Sequence, residues 1–259
     1  MRRLTLVTSF AAILGCAAAP SARAESLVVS LSNHRVAVTS NFVGADLVLF
    51  GTIEPTGTAP LRSNYDIHVT VTGPRATLRT RRKERVLGVW VNIEARQFIR
   101  VPSYLSILSN KPVTEITNST IRRELQLDLN NVILTQRVGP DFADTVPDDP
   151  FRVNFIKLEK EAGRYREVSN GVTFLTPTVF RVGIPLPADV PTGAYAVDVK
   201  LFADGQMLSR TNTALEVVKT GFEQHVYEAS QHHGLIYGIV AAMMALFIGW
   251  GGIVVFRRD

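Results

Sequence analysis

From Glu25 to about Asn110 apolar and polar positions alternate over short runs rich in β-branched residues. Leu27–Leu31, Arg35–Val38 and Asp46–Ile53 come first, then Tyr65–Thr72, Ala76–Arg82, Val86–Ile93 and Phe98–Leu108. Clusters such as Glu54-Pro55-Thr56-Gly57 and Gly73-Pro74 between them read as turns, and strands at this spacing predict an antiparallel sandwich or barrel. The period changes over Asn118–Thr135, where Ile121, Leu125, Leu129 and Val132-Ile133 recur every three to four residues. That rhythm marks one face of a helix, with Asn118 and Ser119 as caps. A second helix is expected over Pro150–Ala162, with Asp149 as cap, Pro150 at the first position and Gly163 at the stop. Its apolar face would be Phe151, Phe155, Leu158 and Ala162.

Strands resume at Val179–Ile184, Ala194–Phe202 and Thr213–Val218. Between the first two, a strand ends at Pro185, a polar turn passes Pro191 and Gly193, and Tyr195 opens a strand alternating through Val197, Val199 and Leu201. Immunoglobulin-like sandwiches enter their penultimate strand in this way, with an aromatic near its start. Asp204-Gly205 then signals a hairpin before the last strand. The expected fold is mainly β: an immunoglobulin-like β-sandwich in two parts, 25–112 and 171–220, separated by a helical insertion at 113–170, plus one C-terminal transmembrane helix. Two small domains are the alternative.

The two ends differ from this body. Residues 1–24 have the parts of a secretory signal: Arg2 and Arg3, an apolar stretch from Leu4 to Leu14, and Ala22-Arg23-Ala24 before the expected cleavage point. A rival reading is a lipoprotein box, Ile13-Leu14-Gly15-Cys16, ending at a lipidatable cysteine. At the other end Leu235–Phe256 carries no charge and is followed by Arg257-Arg258-Asp259. Its expected length suits a bilayer, with Tyr237 and Trp250 as interfacial aromatics and the arginines inside. The expected layout is a juxtamembrane segment at 221–234, a membrane span at 235–256 and a cytoplasmic tail at 257–259, with the preceding domain in the periplasm.

Charge changes little. The chain has 28 basic and 23 acidic residues, and removal of Arg2, Arg3 and Arg23 with the signal leaves +2 instead of +5, so nucleic-acid binding is not expected. Cys16 is the single cysteine, so the exported form would have no disulfide, no thiol chemistry and no cysteine metal site. No phosphate-binding glycine loop, G-x-S-x-G elbow or H-E-x-x-H motif is present, and neither an enzyme nor a cofactor is expected.

Three groups of residues stand out. Arg75, Arg79, Arg81, Arg82, Lys83 and Arg85 place six bases within eleven residues. They read either as a solvated hairpin or as a patch for anionic lipid headgroups or an acidic partner, with Arg79, Arg81, Arg82 and Lys83 as the interaction residues. His225, Glu228 and His232 would share a helix face and form an alternative metal site for Zn²⁺ or Cu²⁺. Gly238, Ala242 and Gly249 lie among small residues repeating every four positions, a spacing that lets membrane helices approach closely.

The Leu27–Val38 opening, Asp46-Leu47-Val48-Leu49-Phe50-Gly51, Tyr65-Asp66-Ile67, the Val179–Tyr195 strand-turn-strand and the apolar C-terminal stretch together resemble a family of alphaproteobacterial transmembrane proteins without assigned activity. The resemblance covers nearly the whole chain and contains no catalytic motif. It implies a bacterial inner membrane and a role beside a small-anion permease. The expected function is that of a non-enzymatic, membrane-anchored periplasmic accessory or interaction protein. Its partners would be the lipid bilayer and a permease or a second copy. The alternative is a periplasmic sensor or binding module for a small ligand or metal ion.

Overall fold

The structure is a computed structural model that describes residues 25–55, 62, 64–138, 141–220, 230, 232 and 234–256. The expected signal segment with Cys16, and His225 and Glu228 of the expected metal site, lie outside the described residues.

Two sheets face each other. In the first, β3 (Ala45–Glu54) is flanked antiparallel by β1 (Ser26–Leu31) and β12 (Val179–Leu186), and β11 (Val172–Phe174) closes the edge. The second runs β10 (Tyr165–Val168), β7 (Leu105–Ser109), β4 (Asp66–Thr72), β13 (Gly193–Ala203), β14 (Gln206–Lys219) and β2 (Arg35–Val38). The β2 strand lies parallel to β14, and β10 parallel to β7. In β3 and β12 alternate residues are buried, because successive side chains point to opposite faces, whereas β4 and β7 are buried on both faces. Leu49 and Ile53, Phe180 and Val182 therefore meet Val69, Val71, Val197 and Val199 in one core. The strand orders are those of an immunoglobulin-type sandwich. The turn into β13 is tied by the Tyr195 hydroxyl, which donates to the Pro191 carbonyl at 2.6 Å. Gly51 is forced by packing: a Cβ there would lie 2.2 Å from Cζ of Phe180.

A third layer covers part of the outer face of the second sheet. It contains β5 (Arg75–Val86), β6 (Val89–Pro102), β8 (Thr135–Val138) and β9 (Asp141–Asp144), with helices α1 (Val113–Ile116), α2 (Ser119–Glu124) and α3 (Pro150–Glu161). Phe98, Leu105, Ile107, Leu134, Phe155 and Tyr165 form its core. The β5–β6 hairpin leaves and rejoins the sandwich between β4 and β7 through a closed neck. There Gly73 N–H donates to Tyr104 O at 2.8 Å, and Ser103 N–H to Pro74 O at 2.9 Å.

The helix expected over Asn118–Thr135 is much shorter. Asn118 does cap it, accepting from Ile121 N–H at 3.0 Å, but α2 stops at Glu124. Gln126 adopts a φ of 52°, and Leu127 N–H reaches back to Arg122 O at 3.0 Å, closing the helix in a Schellman turn. A 3₁₀ turn at Leu129–Asn131 follows, capped by Asp128. The apolar rhythm serves two cores instead of one helix face: Leu127 packs with Ile116 and Phe202, whereas Leu129, Val132 and Leu134 join Phe98 and Phe155. In α3 the buried face is Arg152, Phe155, Ile156 and Glu159, and Leu158 is 52% exposed. Arg152 turns the helix because its guanidinium donates to the carbonyls of Asn130, Val132 and Thr145 and pairs with Asp144.

The C-terminal helix α4 (Gly234–Phe256) contains no charged residue. Among the described residues no helix is long and apolar enough to cross a membrane, which overturns the expected C-terminal transmembrane helix at 235–256. The fold is mainly β, and the insertion on the sandwich is itself a mixed α and β layer.

Candidate functional site

The basic cluster sits on the hairpin β5–β6. The root of the hairpin is packed: Thr80 and Phe98 are buried, and Arg96 pairs with Asp149 while its guanidinium lies 4.6 Å over the Phe151 ring. From Arg81 to Ala95 every residue is exposed. Neither strand has a further paired neighbour there, since β6 meets β8 at Phe98↔Gln136. Six residues of strand at about 3.4 Å each make this a free ribbon of about 20 Å. Alternation along β5 puts Arg79, Arg81, Lys83 and Arg85 on one face, with Trp90 directly across from Arg85. Arg79, Arg81, Arg82 and Lys83 are all exposed, and none forms an ion pair among the described residues. Bulges in β6, one between the Arg82 and Lys83 pairs, sharpen the twist of the ribbon.

The tip is built against the usual rules. Leu87 and Gly88 form the two-residue turn with φ of 50° and 87°, the arrangement that favours Asn-Gly or Asp-Gly. A leucine in that conformation costs about 1 kcal/mol, and this one is 100% exposed. Val86, Val89, Trp90 and Ile93 around it are also exposed, Trp90 by 67%. Composition drew attention to the bases and missed Leu87 and Trp90. The readable signal was an apolar residue in a glycine turn between two apolar strand ends.

A second site lies on the outer face of β4, β13 and β14, where the third layer leaves a cleft of about 870 Å³. Strand register brings Lys200 beside His68 and Arg210, and Asp198 beside Thr70 and Asn212. Lys200 is 3% exposed and its ammonium pairs with Asp198, which also accepts from Arg210 Nε at 2.7 Å. Burial pushes the Asp198 carboxyl up, but the hydrogen bonds from Arg210 and Lys200 outweigh it and hold it below the usual carboxylate range. Burial lowers Lys200, and Asp198 offsets part of that. Thr70 Oγ1, also in the cleft lining, is buried with no hydrogen-bond partner among the described residues. Such a surface can hold a small polar molecule between one carboxylate and two cations.

The fully buried His68 donates from Nε2 to the Leu127 carbonyl at 2.7 Å, joining sandwich to insertion. His34 is exposed and donates to Ala214 O at 3.0 Å. His232 is exposed, and no group of three or more His, Cys, Asp or Glu among the described residues is placed to hold a metal ion. Gly238, Ala242 and Gly249 are exposed on α4, and a Cβ at either glycine would meet nothing within 4 Å.

No curated protein matches the sequence significantly. The family described as "Putative transmembrane protein (Alph_Pro_TM)" matches residues 26–258, which takes in the sandwich, the hairpin, the cleft and α4. A match over that much of the chain shows that the protein belongs to this family.

Proposed function

We propose that the protein is a non-enzymatic accessory protein of the bacterial inner membrane, with its β-sandwich on the periplasmic side, recruiting or supporting a membrane partner such as a small-anion permease. The observation that carries this reading is the distal half of the β5–β6 hairpin, unpacked on both faces and exposing bases and large apolar side chains together. A free two-stranded ribbon is marginally stable and its apolar edges invite aggregation. Its retention on a well-packed frame supports a role in contact with something else. The family description supports placement at a membrane. The test is a photo-crosslinking residue at position 87 of the full chain in intact bacterial membranes. The expected result is a discrete adduct, lost when Arg79, Arg81, Arg82, Lys83 and Arg85 are replaced together by Glu with the probe kept at position 87. An unchanged adduct pattern after that replacement refutes the reading.

The cleft favours a second reading, a periplasmic sensor or binding module for a small ligand. Lys200 and Arg210 beside Asp198 would receive an anionic group. Small carboxylates and oxyanions should then raise the thermal midpoint of the wild type and leave that of Lys200→Met unmoved.

A further inference from the structure

We propose that the β5–β6 hairpin is a lipid-inserting arm, whose Leu87–Trp90 tip enters the apolar edge of an anionic bilayer while Arg79, Arg81, Lys83 and Arg85 lie on the phosphate layer. This names the contact of the arm described above and rests on that reading of it.

The tip carries two local costs. Leucine occupies a positive-φ position that asparagine or glycine fills without strain, and it is fully exposed there. Folding alone would select against both properties, and such departures from local rules mark sites with another task. An apolar phase outside the protein removes one of the two costs. Trp90 beside the tip has the character of a bilayer-interface residue, an apolar ring with one polar N–H.

Charge complementarity decides what kind of apolar phase. Four bases at alternate positions spread over about 20 Å of one ribbon face, a linear array spaced for a surface of many phosphates. Each base close to an anionic leaflet is attracted by an amount worth about fivefold in affinity. An acidic protein pocket would instead need the ribbon's two faces to be distinguished by shape, and both faces of the distal half are equally open. The root, fixed by Arg96, Asp149 and Phe151, anchors the ribbon that carries the bases and the tip.

The experiment uses the full chain carrying Trp250→Phe, so that Trp90 is the sole tryptophan. Vesicles of phosphatidylcholine are compared with vesicles containing about one third phosphatidylglycerol, with and without brominated acyl chains. On anionic vesicles the Trp90 emission should shift to the blue and be quenched by the bromines, and 0.5 M salt should reverse both. Neutralising Arg79, Arg81, Lys83 and Arg85 to Gln should abolish the response. Leu87→Asn should weaken it about tenfold while leaving the thermal midpoint equal or higher, because asparagine suits the turn. Emission that stays red and open to iodide on anionic vesicles overturns the proposal, as does an equal Trp90 shift and quenching on neutral vesicles. A crosslink from position 87 to a protein, with no vesicle response, also overturns it while leaving the accessory reading intact. Loss of every crosslink dependence on the arm removes the accessory reading itself.

Discussion

Lowering the pH should strip stability from the protein at one joint, the contact of His68 with Leu127. The imidazole is buried between β4 and the insertion, its Nε2–H given to a carbonyl and its Nδ1 without a partner among the described residues. Protonation would bury a cation whose new N–H has only the backbone of His68 itself to reach among the described residues. Lys200 from β13 repels it and Asp198 attracts it more weakly. Burial first, and Lys200 second, lower the His68 pKa from 6.5 to about 4. The unfolded chain binds the proton first as the pH falls, so this stabilisation is complete above pH 6.5 and is lost as the pH drops toward 4. The slope approaches about 1.4 kcal/mol per pH unit, which makes about 2 kcal/mol between pH 7.5 and pH 5. Urea denaturation of the wild type and His68→Gln at pH 7.5, 6 and 5 reads this directly. The variant keeps an amide donor for Leu127 and cannot titrate, so the gap between the two proteins should narrow by about 2 kcal/mol at pH 5. Parallel pH dependences in the two proteins would refute the assignment.

Three other changes probe the frame. Tyr195→Phe removes the hydroxyl that ties the turn at Pro191 and should cost about 1 kcal/mol in urea denaturation without altering the far-ultraviolet circular dichroism. Gly51→Ala drives a methyl into the Phe180 ring and should cost about 1–3 kcal/mol, and adding Phe180→Leu should recover part of it. Arg152→Met leaves the carbonyls of Asn130, Val132 and Thr145 unpaired in the third layer. Stability should fall by about 3 kcal/mol, with early proteolytic cleavage around α3.

The sandwich was legible because strand alternation is a local property: the segments through Val36, Leu49, Val69, Val182 and Val199 announce their buried faces in five or six residues each. Tyr195 at a strand entrance after Pro191 was legible for the same reason. The insertion was less so. Ile121, Leu125 and Leu129 keep helical spacing, yet a single left-handed residue at Gln126 divides them between two cores, and no spacing rule sees which core lies where. Arg152 reads as a surface residue until three carbonyls converge on it from elements distant in sequence. Lys200 and Asp198 looked like the solvent face of a strand, and only the third layer makes that face a cleft. On the arm, the bases were visible in composition. The tip was hidden because its meaning lies in a backbone angle.

The closed neck at Gly73, Pro74, Ser103 and Tyr104 has an evolutionary consequence. A ribbon that leaves and returns through one pair of hydrogen bonds can gain or shed cross-strand pairs without moving any register in the two facing sheets. The reach of the arm can thus be tuned two residues at a time, independently of the body that carries it. Relatives should differ in arm length far more than in the frame beneath, and the arm should tolerate transplantation onto another sandwich by its neck alone.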